Sequence, residues 1–492
     1  MSAAVQGTPN LLVVVADQVN PFLTGPYGDP VAQTPAMDSL AEEGTRFDAA
    51  YTPFPLCAPA RAALMTGRHA SAVRVLDNAS ILPADEPTFG HHLSRAGYDT
   101  VLTGKMHFVG PDQLHGFGRR LTTDVFPAGL DWVPVPAEDG SFPAGGHARH
   151  YVDPDPGVRT WTKFMAFDEE TQFRALEYLR ERGRTGASTP FCLVVSYHHP
   201  HDPFHVRQED WDRYEGVDIP IPAVPADIAT TYTAMDRWAN EAHGTDRYDV
   251  TDPQSLTALR RAYYASLSAV DRKLGELLRT LEESGERERT AVLFTSDHGD
   301  MLGERGMVQK RCFYEPSARV PLLLSLPGGR HAGRIVRTPV SLVDVLPTLL
   351  DLAGVPDEDR TPVDGTSLLG LLEEERPLRP VLSEYHLEKV HAPCFMVRRG
   401  RFKYIVVHGH DRRLFDLETD PGELHDLAPL PEHAAVVAEL HGLVLAAFDP
   451  DRLAAEGAAS IRRRVVVTEA MARTGTRWDY TPVFDGTRQY VR

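Results

Sequence analysis

The residues with the clearest chemical potential lie in one short stretch, in which Cys57 is followed by Pro59 and Arg61. Proline suits the first turn of a helix, so a helix is predicted to begin near Pro59. A helix N-terminus attracts anions and stabilises a thiolate, and Arg61 would add a fixed positive charge one turn later. The pattern therefore indicates a reactive cysteine. The alternative is an inert cysteine buried in front of a helix.

Acidic and imidazole side chains follow two apolar runs that are typical of buried parallel strands. Asp17 follows residues 11–16, and Asp297 with His298 follows residues 291–296. Ligands of open α/β sheets bind beyond the carboxyl ends of the strands, so these side chains are candidate ligand donors. For Asp17, a role as a helix or turn cap stays open as the alternative.

Cations and further imidazoles follow two other strand-like runs. Lys105 and His107 come after a short strand predicted over residues 99–102, and their spacing of two would direct both side chains the same way. They offer a cation for an oxyanion and a proton donor, although a solvated strand end explains them equally well. Of the three histidines after residues 191–196, His201 is the preferred functional one, because no cysteine or carboxylate framework for zinc accompanies them.

The stretch from Cys57 to Arg68 joins C-x-P-x-R to A-x-L-x-T-G-R and resembles the signature of the sulfatase family. The resemblance implies that Cys57 is oxidised after translation to formylglycine, whose aldehyde hydrate supplies the nucleophile that attacks sulfur. It also implies a formylglycine-generating enzyme as a partner. By the same resemblance, the fold would be that of the alkaline phosphatase superfamily.

The resemblance further implies roles for the polar residues at the strand ends. The expected ligands of one divalent metal, Ca²⁺ or Mn²⁺, are Asp17, Cys57, Asp297 and His298. The cations expected to neutralise the transferred group are Arg61, Lys105 and Lys310. His107 is the candidate for assisting sulfate release, and His201 for the leaving-group side.

Longer strings are similar to the choline sulfatase branch of this family, namely residues 104–117, 120–124 and 477–480. Gln18 and His298 stand where many arylsulfatases have aspartate and asparagine, which resembles the branch that contains choline sulfatases and phosphonate monoester hydrolases. The implied reaction is hydrolysis of choline-O-sulfate. The alternatives are a phosphonate monoester or phosphodiester hydrolase, another alkyl or aryl sulfatase, and an inert choline- or sulfate-binding protein.

A quaternary ammonium group donates no N–H bonds, so its site needs an aromatic face and nearby carboxylates. The candidate substrate-binding residues are Asn78, Trp132, His147, Glu384, Glu388 and Asp485. Glu388 is preferred slightly over Glu384. The alternatives are core packing for Trp132, a solvated turn for the glutamates and a cap for Asn78.

The formal net charge of −18 argues against binding to nucleic acid or to an anionic membrane surface, and it favours a cationic substrate. The four cysteines are scattered, which suggests neither a disulfide framework nor a zinc site. The first apolar run is too short for a signal sequence or a membrane span, so a cytoplasmic location is expected.

The fold class predicted for the 492 residues is α/β, with a mixed, mainly parallel sheet between helices. The catalytic domain is expected over residues 1–378. A smaller C-terminal α+β domain, with an antiparallel sheet and a packing helix, is expected over residues 379–470. The tail, residues 471–492, is expected at a subunit interface of a homo-oligomer, either a dimer or a tetramer.

Overall fold

The computed structural model describes residues 7–126, 129–130, 133, 156–243, 250, 252–374 and 379–478. Its strands are β1 (Asn10–Ala16), β2 (Thr45–Phe47), β3 (Ala50–Tyr51), β4 (Asp99–Gly104), β5 (Arg119–Arg120), β6 (Gly157–Val158), β7 (Phe191–Tyr197), β8 (His205–Val206), β9 (Thr290–Thr295), β10 (Arg319–Val320), β11 (Leu322–Ser325), β12 (Arg334–Val336), β13 (Val340–Ser341), β14 (Val381–Tyr385), β15 (Cys394–Arg399), β16 (Phe402–Val407) and β17 (Arg412–Asp416). Its α-helices are α1 (Pro35–Glu43), α2 (Cys57–Thr66), α3 (Phe89–Arg95), α4 (Lys163–Thr185), α5 (Gln208–Asp212), α6 (Ala234–His243), α7 (Pro253–Glu283), α8 (Glu315–Ala318), α9 (Val345–Leu352), α10 (Leu369–Glu373), α11 (Ala434–Ala447) and α12 (Pro450–Thr474).

The main sheet has the strand order β12-β2-β11-β9-β1-β7-β4-β5. Its centre, β9-β1-β7-β4, is parallel throughout, and Leu12 of β1 pairs with Leu193 of β7 on one side and Val292 of β9 on the other. Strand β11 runs antiparallel to β9. The carboxyl ends of the four central strands therefore meet along one edge, where the sequence places most of the candidate site residues.

Both faces of the central sheet are buried under helices. Alternate residues of β1 belong to two separate cores, with Val13 in one and Val14 in the other. The first core includes residues of α2, α3 and α9, and the second includes residues of α1, α4 and α7. A strand that is buried on both faces reads as a continuous apolar run, which is the pattern that predicted β1, β7 and β9.

A second, antiparallel sheet of order β14-β15-β16-β17 confirms the predicted small α+β unit. Its hairpin pairs Arg399 with Phe402 around Gly400. Helix α11 packs on this sheet through Leu440 and Val444. The domain limits expected at residues 378 and 470 stay a prediction.

The longest departure from the sequence prediction is α12, which was not expected. Its start carries two readable signals, since Asp449 caps the helix by accepting an N–H bond from Arg452 and Pro450 occupies the first turn. Its many alanines obscure the apolar periodicity that would otherwise reveal a helix. Helix α2 starts at Cys57 itself, slightly earlier than predicted. In the described ranges, no helix is long and apolar enough to cross a membrane.

Candidate active site

The carboxyl ends of three central strands carry the buried polar cluster. Asp17 follows β1, Asp297 and His298 follow β9, and Lys105 follows β4. All four side chains are completely buried. Arg61, on the second turn of α2, reaches into the same space and is also buried.

Cys57, the first residue of α2, faces this cluster. Its Sγ lies 3.2 Å from Nε2 of His298, 3.8 Å from Nζ of Lys105 and 4.0 Å from Oδ1 of Asp17. Burial and the Asp17 carboxylate raise the pKa of the thiol, but the positive charges around it outweigh both. The chief of these are Lys105, Lys310 and His298, and they bring the pKa well below its ordinary value.

The two aspartates are held by one arginine. Arg61 donates from Nη2 to Oδ2 of Asp17 and from Nε to Oδ2 of Asp297, each at 2.8 Å. Lys105 Nζ also contacts Oδ2 of Asp17, at 2.5 Å. Burial raises the pKa of Asp17. The charges of Lys105, His201 and Arg61 lower it by more, so the pKa lies well below its usual range. Arg61 therefore orients both carboxylates.

A divalent metal fits the donor set that remains. One ligand atom each from Asp17, Cys57, Asp297 and His298 lies within 4.8 Å of the others, and all four residues are buried. Oδ1 of Asp17 is 3.9 Å from Nε2 of His298, on the side of the carboxylate that Arg61 does not occupy. Two carboxylates with one imidazole are hard to borderline donors, which suits Ca²⁺ or Mn²⁺.

Lys310 and His201 form a second polar group beside this cluster. Lys310 Nζ lies 2.5 Å from Nε2 of His201 and donates to Oε1 of Gln18 at 2.6 Å. The Nε2 of Gln18 donates to the buried carboxylate of Asp300. Gln18, which stands where many arylsulfatases have an aspartate, thus binds Lys310 through its amide oxygen.

The geometry expected for Lys105 and His107 is wrong. Strand β4 ends at Gly104, whose φ is 97°, and His107 has a φ of 58°, so the two residues do not alternate along a strand. They are instead brought to a shared aromatic ring. Lys105 Nζ lies 4.5 Å from the centre of the Phe126 ring, and the His107 ring lies 5.1 Å from it.

The Phe126 ring also lies 6.2 Å from that of His201. Lys105, His107 and His201 thus surround one aromatic side chain. This shared contact brings together residues that follow different strands.

Asn78 contacts the N-terminus of α2 next to Cys57, and it also contacts Glu388. Oδ1 of Asn78 accepts the N–H of Ala58 at 3.0 Å, and the N–H of Asn78 donates to Oε2 of Glu388 at 3.3 Å. Arg311 forms an ion pair with Oε1 of Glu388.

Glu384 is engaged elsewhere, by the N–H of Ser71 and Nε2 of His386, each at 2.9 Å. Of the two glutamates, Glu388 is thus the one that these contacts link to Asn78. Trp132, His147 and Asp485 lie outside the described residues.

A model of the family described as "Sulfatase" matches residues 9–355. The chain belongs to the sulfatase family. A model of the C-terminal part of N-sulphoglucosamine sulphohydrolase matches residues 303–447. Because it belongs to the sulfatase family, the protein is a sulfuric ester hydrolase.

Individual relatives match almost the whole chain. The choline-sulfatase of Rhizobium meliloti (strain 1021) is 40% identical over 501 aligned residues, which cover 99% of this chain and 96% of the relative. An arylsulfatase of Clostridium perfringens is 28% identical, covering 89% of this chain and 94% of the relative. Among solved structures, the phosphonate monoester hydrolase of Agrobacterium radiobacter has a TM-score of 0.74 at 27% identity, covering 89% of this sulfatase and 95% of that chain.

Several residues that shape the site were missed from the sequence. Asp124 accepts the N–H groups of Met106 at 2.9 Å and of His107 at 2.6 Å, which fixes the turn after β4. Asp168 accepts the N–H groups of His198 and His199 at 2.7 and 3.0 Å. Asp124 belongs to the string of residues 120–124 that resembles choline sulfatases, but neither acid was assigned a role, because a carboxylate that caps a distant turn leaves no local pattern.

Proposed function

We propose that this sulfatase hydrolyses choline-O-sulfate to choline and sulfate. The observation that carries the proposal is the link from Glu388 through Asn78 to the N–H of Ala58, next to Cys57, within a chain similar over nearly its whole length to a choline-sulfatase. A carboxylate there can meet a cation while the group at Cys57 meets the sulfate. The net charge of −18 favours the approach of a cationic substrate.

Cys57 is the proposed origin of the nucleophile, after its conversion by a formylglycine-generating enzyme. Formylglycine at position 57 would supply a hydrated aldehyde as the nucleophile, which would displace choline from sulfur and then release sulfate. Helix α2 holds residue 57 at its first position, where the helix dipole favours negative charge. Lys105 adds a positive charge 3.8 Å from the sulfur.

A divalent metal, Ca²⁺ or Mn²⁺, would supply a Lewis acid that polarises a sulfate oxygen. Its proposed ligands are Asp17, residue 57, Asp297 and His298, which lie within reach of one ion. Arg61 orients both aspartates by holding their outer oxygens. Elemental analysis of protein prepared without added metal would identify the ion.

The remaining cations and imidazoles are assigned to charge and proton transfer. Lys105 and Lys310 neutralise the oxygens of the transferred group. His201, in contact with Lys310 Nζ, serves the leaving oxygen, and His107 assists sulfate release. Trp132, His147 and Asp485 complete the proposed set around the ammonium group.

A phosphonate monoester or phosphodiester hydrolase is the second candidate. The pairing of Asp17-Gln18 with Asp297-His298 and the fold similarity to the phosphonate monoester hydrolase favour it. The same cations would neutralise phosphoryl oxygens as readily as sulfuryl oxygens.

Steady-state rates with choline-O-sulfate, phenyl sulfate and phenyl phosphonate decide between these candidates. We expect the largest kcat/KM with choline-O-sulfate. A clear preference for the phosphonate would reject the proposal in favour of the second candidate. Mass spectrometry of the peptide that contains Cys57 should show the change from thiol to aldehyde in the active preparation.

The tail is proposed to cross to a neighbouring subunit of a homo-oligomer and to close the cation site there. Deleting residues 471–492 should weaken assembly and raise the KM for choline-O-sulfate more than that for phenyl sulfate. Equal effects on both substrates with unchanged assembly, measured by light scattering, would contradict this assignment.

A further inference from the structure

Helix α12 lies on the outside of the protein and is held by few packing contacts. Of its 25 residues, the buried ones are Pro450, Leu453 and Gly457, all in its first third. One side chain farther along reaches inward. Arg464 is 11% exposed and donates from Nη1 and Nη2 to the two carboxylate oxygens of Asp77, at 2.8 and 2.7 Å.

Asp77 is completely buried and organises the turn in which it lies. Its Oδ1 accepts the N–H of Ala79 at 3.1 Å and the hydroxyl of Ser80 at 2.7 Å. Ser80 in turn accepts the N–H of Leu76 at 3.1 Å. The ion pair with Arg464 therefore fixes a turn whose own hydrogen bonds depend on the position of the Asp77 carboxylate.

The next residue in that turn is Asn78, which contacts both the N-terminus of α2 and Glu388. Its Oδ1 accepts the N–H of Ala58, directly after Cys57, and its N–H donates to Glu388. A continuous series of directional contacts thus runs from Arg464 through Asp77 and Asn78 to Glu388. Arg464 and Asp77 are 387 positions apart in the chain.

We propose that Arg464 is a positioning residue for the substrate side of the active site. It holds the Asp77 turn, and thereby sets the orientation of Asn78 and of the Glu388 carboxylate. A bidentate arginine–carboxylate pair fixes geometry as well as charge, which a point charge does not. The part of the inference that concerns the cation rests on the proposed hydrolysis of choline-O-sulfate.

The test compares Arg464→Met with Arg463→Met, the same change at an exposed position of the same helix. We expect Arg464→Met to raise the KM for choline-O-sulfate and the Kd for choline about tenfold, with kcat changed by less than about twofold. Hydrogen exchange of the peptide spanning residues 76–80 should become faster in Arg464→Met alone. Arg464→Lys should recover part of the loss in KM.

Asp77→Asn and the double variant Arg464→Met/Asp77→Asn complete a double-mutant cycle. Because the pair acts as one unit, we expect the double variant to resemble either single variant and not to show the product of their effects. Multiplicative effects, or an Arg464→Met that matches Arg463→Met in KM, choline affinity and exchange, would overturn the inference.

Failure of the proposed function gives a different result. If wild-type enzyme showed no preference for choline-O-sulfate, the assignment of the cation would be lost. The exchange of residues 76–80 would still test whether Arg464 positions the turn.

Discussion

At the scale of single residues, the site depends on a buried thiol surrounded by charge. The thiol of Cys57 is influenced by four ionisable groups. The Asp17 carboxylate raises its pKa, and three basic groups lower it, namely Lys105, Lys310 and His298. Such a position is costly for an inert cysteine but suits a residue that is converted into a nucleophile.

Cys57→Ala should lower kcat by at least about 10³-fold, because it removes the group from which the nucleophile is made. The fold should persist, as judged by circular dichroism and thermal melting. Cys192→Ala is the matched control, since Cys192 is buried in β7 and burial raises its pKa to about 12. It should lose stability and keep activity. Near-wild-type turnover by Cys57→Ala would reject the mechanism.

Glu388→Gln should raise the KM for choline-O-sulfate more than that for phenyl sulfate, because only the first substrate carries a cation. Glu384→Gln, on strand β14 just before the turn that carries Glu388, is the matched comparison. Its carboxylate binds the N–H of Ser71 and Nε2 of His386 and not the N–H of Asn78, so it should leave the ratio of the two KM values unchanged. If Glu384→Gln changed that ratio more than Glu388→Gln did, Glu384 and not Glu388 would be the carboxylate that meets the cation.

At the scale of elements, two strand ends and one helix start form the cluster of candidate ligands. The turn after β9 carries two of the proposed metal ligands and packs closely against helix α8. A Cβ on Gly299 would lie 2.0 Å from the carbonyl oxygen of Pro316. The N–H of Gly299 also donates to the carbonyl of Ser317 at 2.8 Å.

Gly299→Ala should therefore displace the turn that holds Asp297 and His298. We expect a loss of about 1–3 kcal/mol in the free energy of unfolding, together with reduced metal content and reduced kcat. Gly442→Ala in α11 is the control, because a Cβ there has nothing within 4 Å. It should be neutral or slightly stabilising. Full metal content in a folded Gly299→Ala would contradict the placement of the ligands.

At the scale of the whole molecule, a buried ionic group joins the four-stranded antiparallel sheet to helix α8. Lys403 of β16 contacts Glu315 of α8 at 3.0 Å and Glu423 at 2.8 Å, and all three side chains are buried. Burial raises the pKa of Glu315, but Lys403 and Arg319 lower it to about 2. Burial raises the pKa of Glu423 above its ordinary value, since the lowering effect of Lys403 is opposed by the negative charge of Glu315.

Lys403→Met should lower the free energy of unfolding by about 3–5 kcal/mol, since it removes the cation that two buried carboxylates share. In wild type, the contribution of Glu315 is present above its unfolded pKa and is lost as the pH falls toward about 2. The difference between wild type and variant should thus be smaller at about pH 4 than at about pH 7.

Urea unfolding at both pH values would measure the effect of Lys403→Met. Arg399→Met, on the neighbouring strand, breaks an exposed pair with Glu439 and should cost less than about 1 kcal/mol. A Lys403→Met variant that was no less stable than Arg399→Met would show that the ionic group does not stabilise the contact between the four-stranded sheet and α8.

The sequence by itself determined the local parts of this protein. Apolar runs ending in Asp17 and Asp297 predicted central strands, because a strand buried on both faces must be apolar throughout. The rule that parallel strands end at one edge was sufficient to bring those acids together. The run after Cys57 indicated both a helix and a family, since its residues are contiguous.

Only the tertiary structure decided how these parts act on one another. Arg61 binds two aspartates from different strands, Glu388 and not Glu384 meets Asn78, and Arg464 reaches Asp77 across most of the chain. These choices depend on where distant turns pack and which rotamers the packing permits, and neither quantity is encoded in a local spacing of residue types.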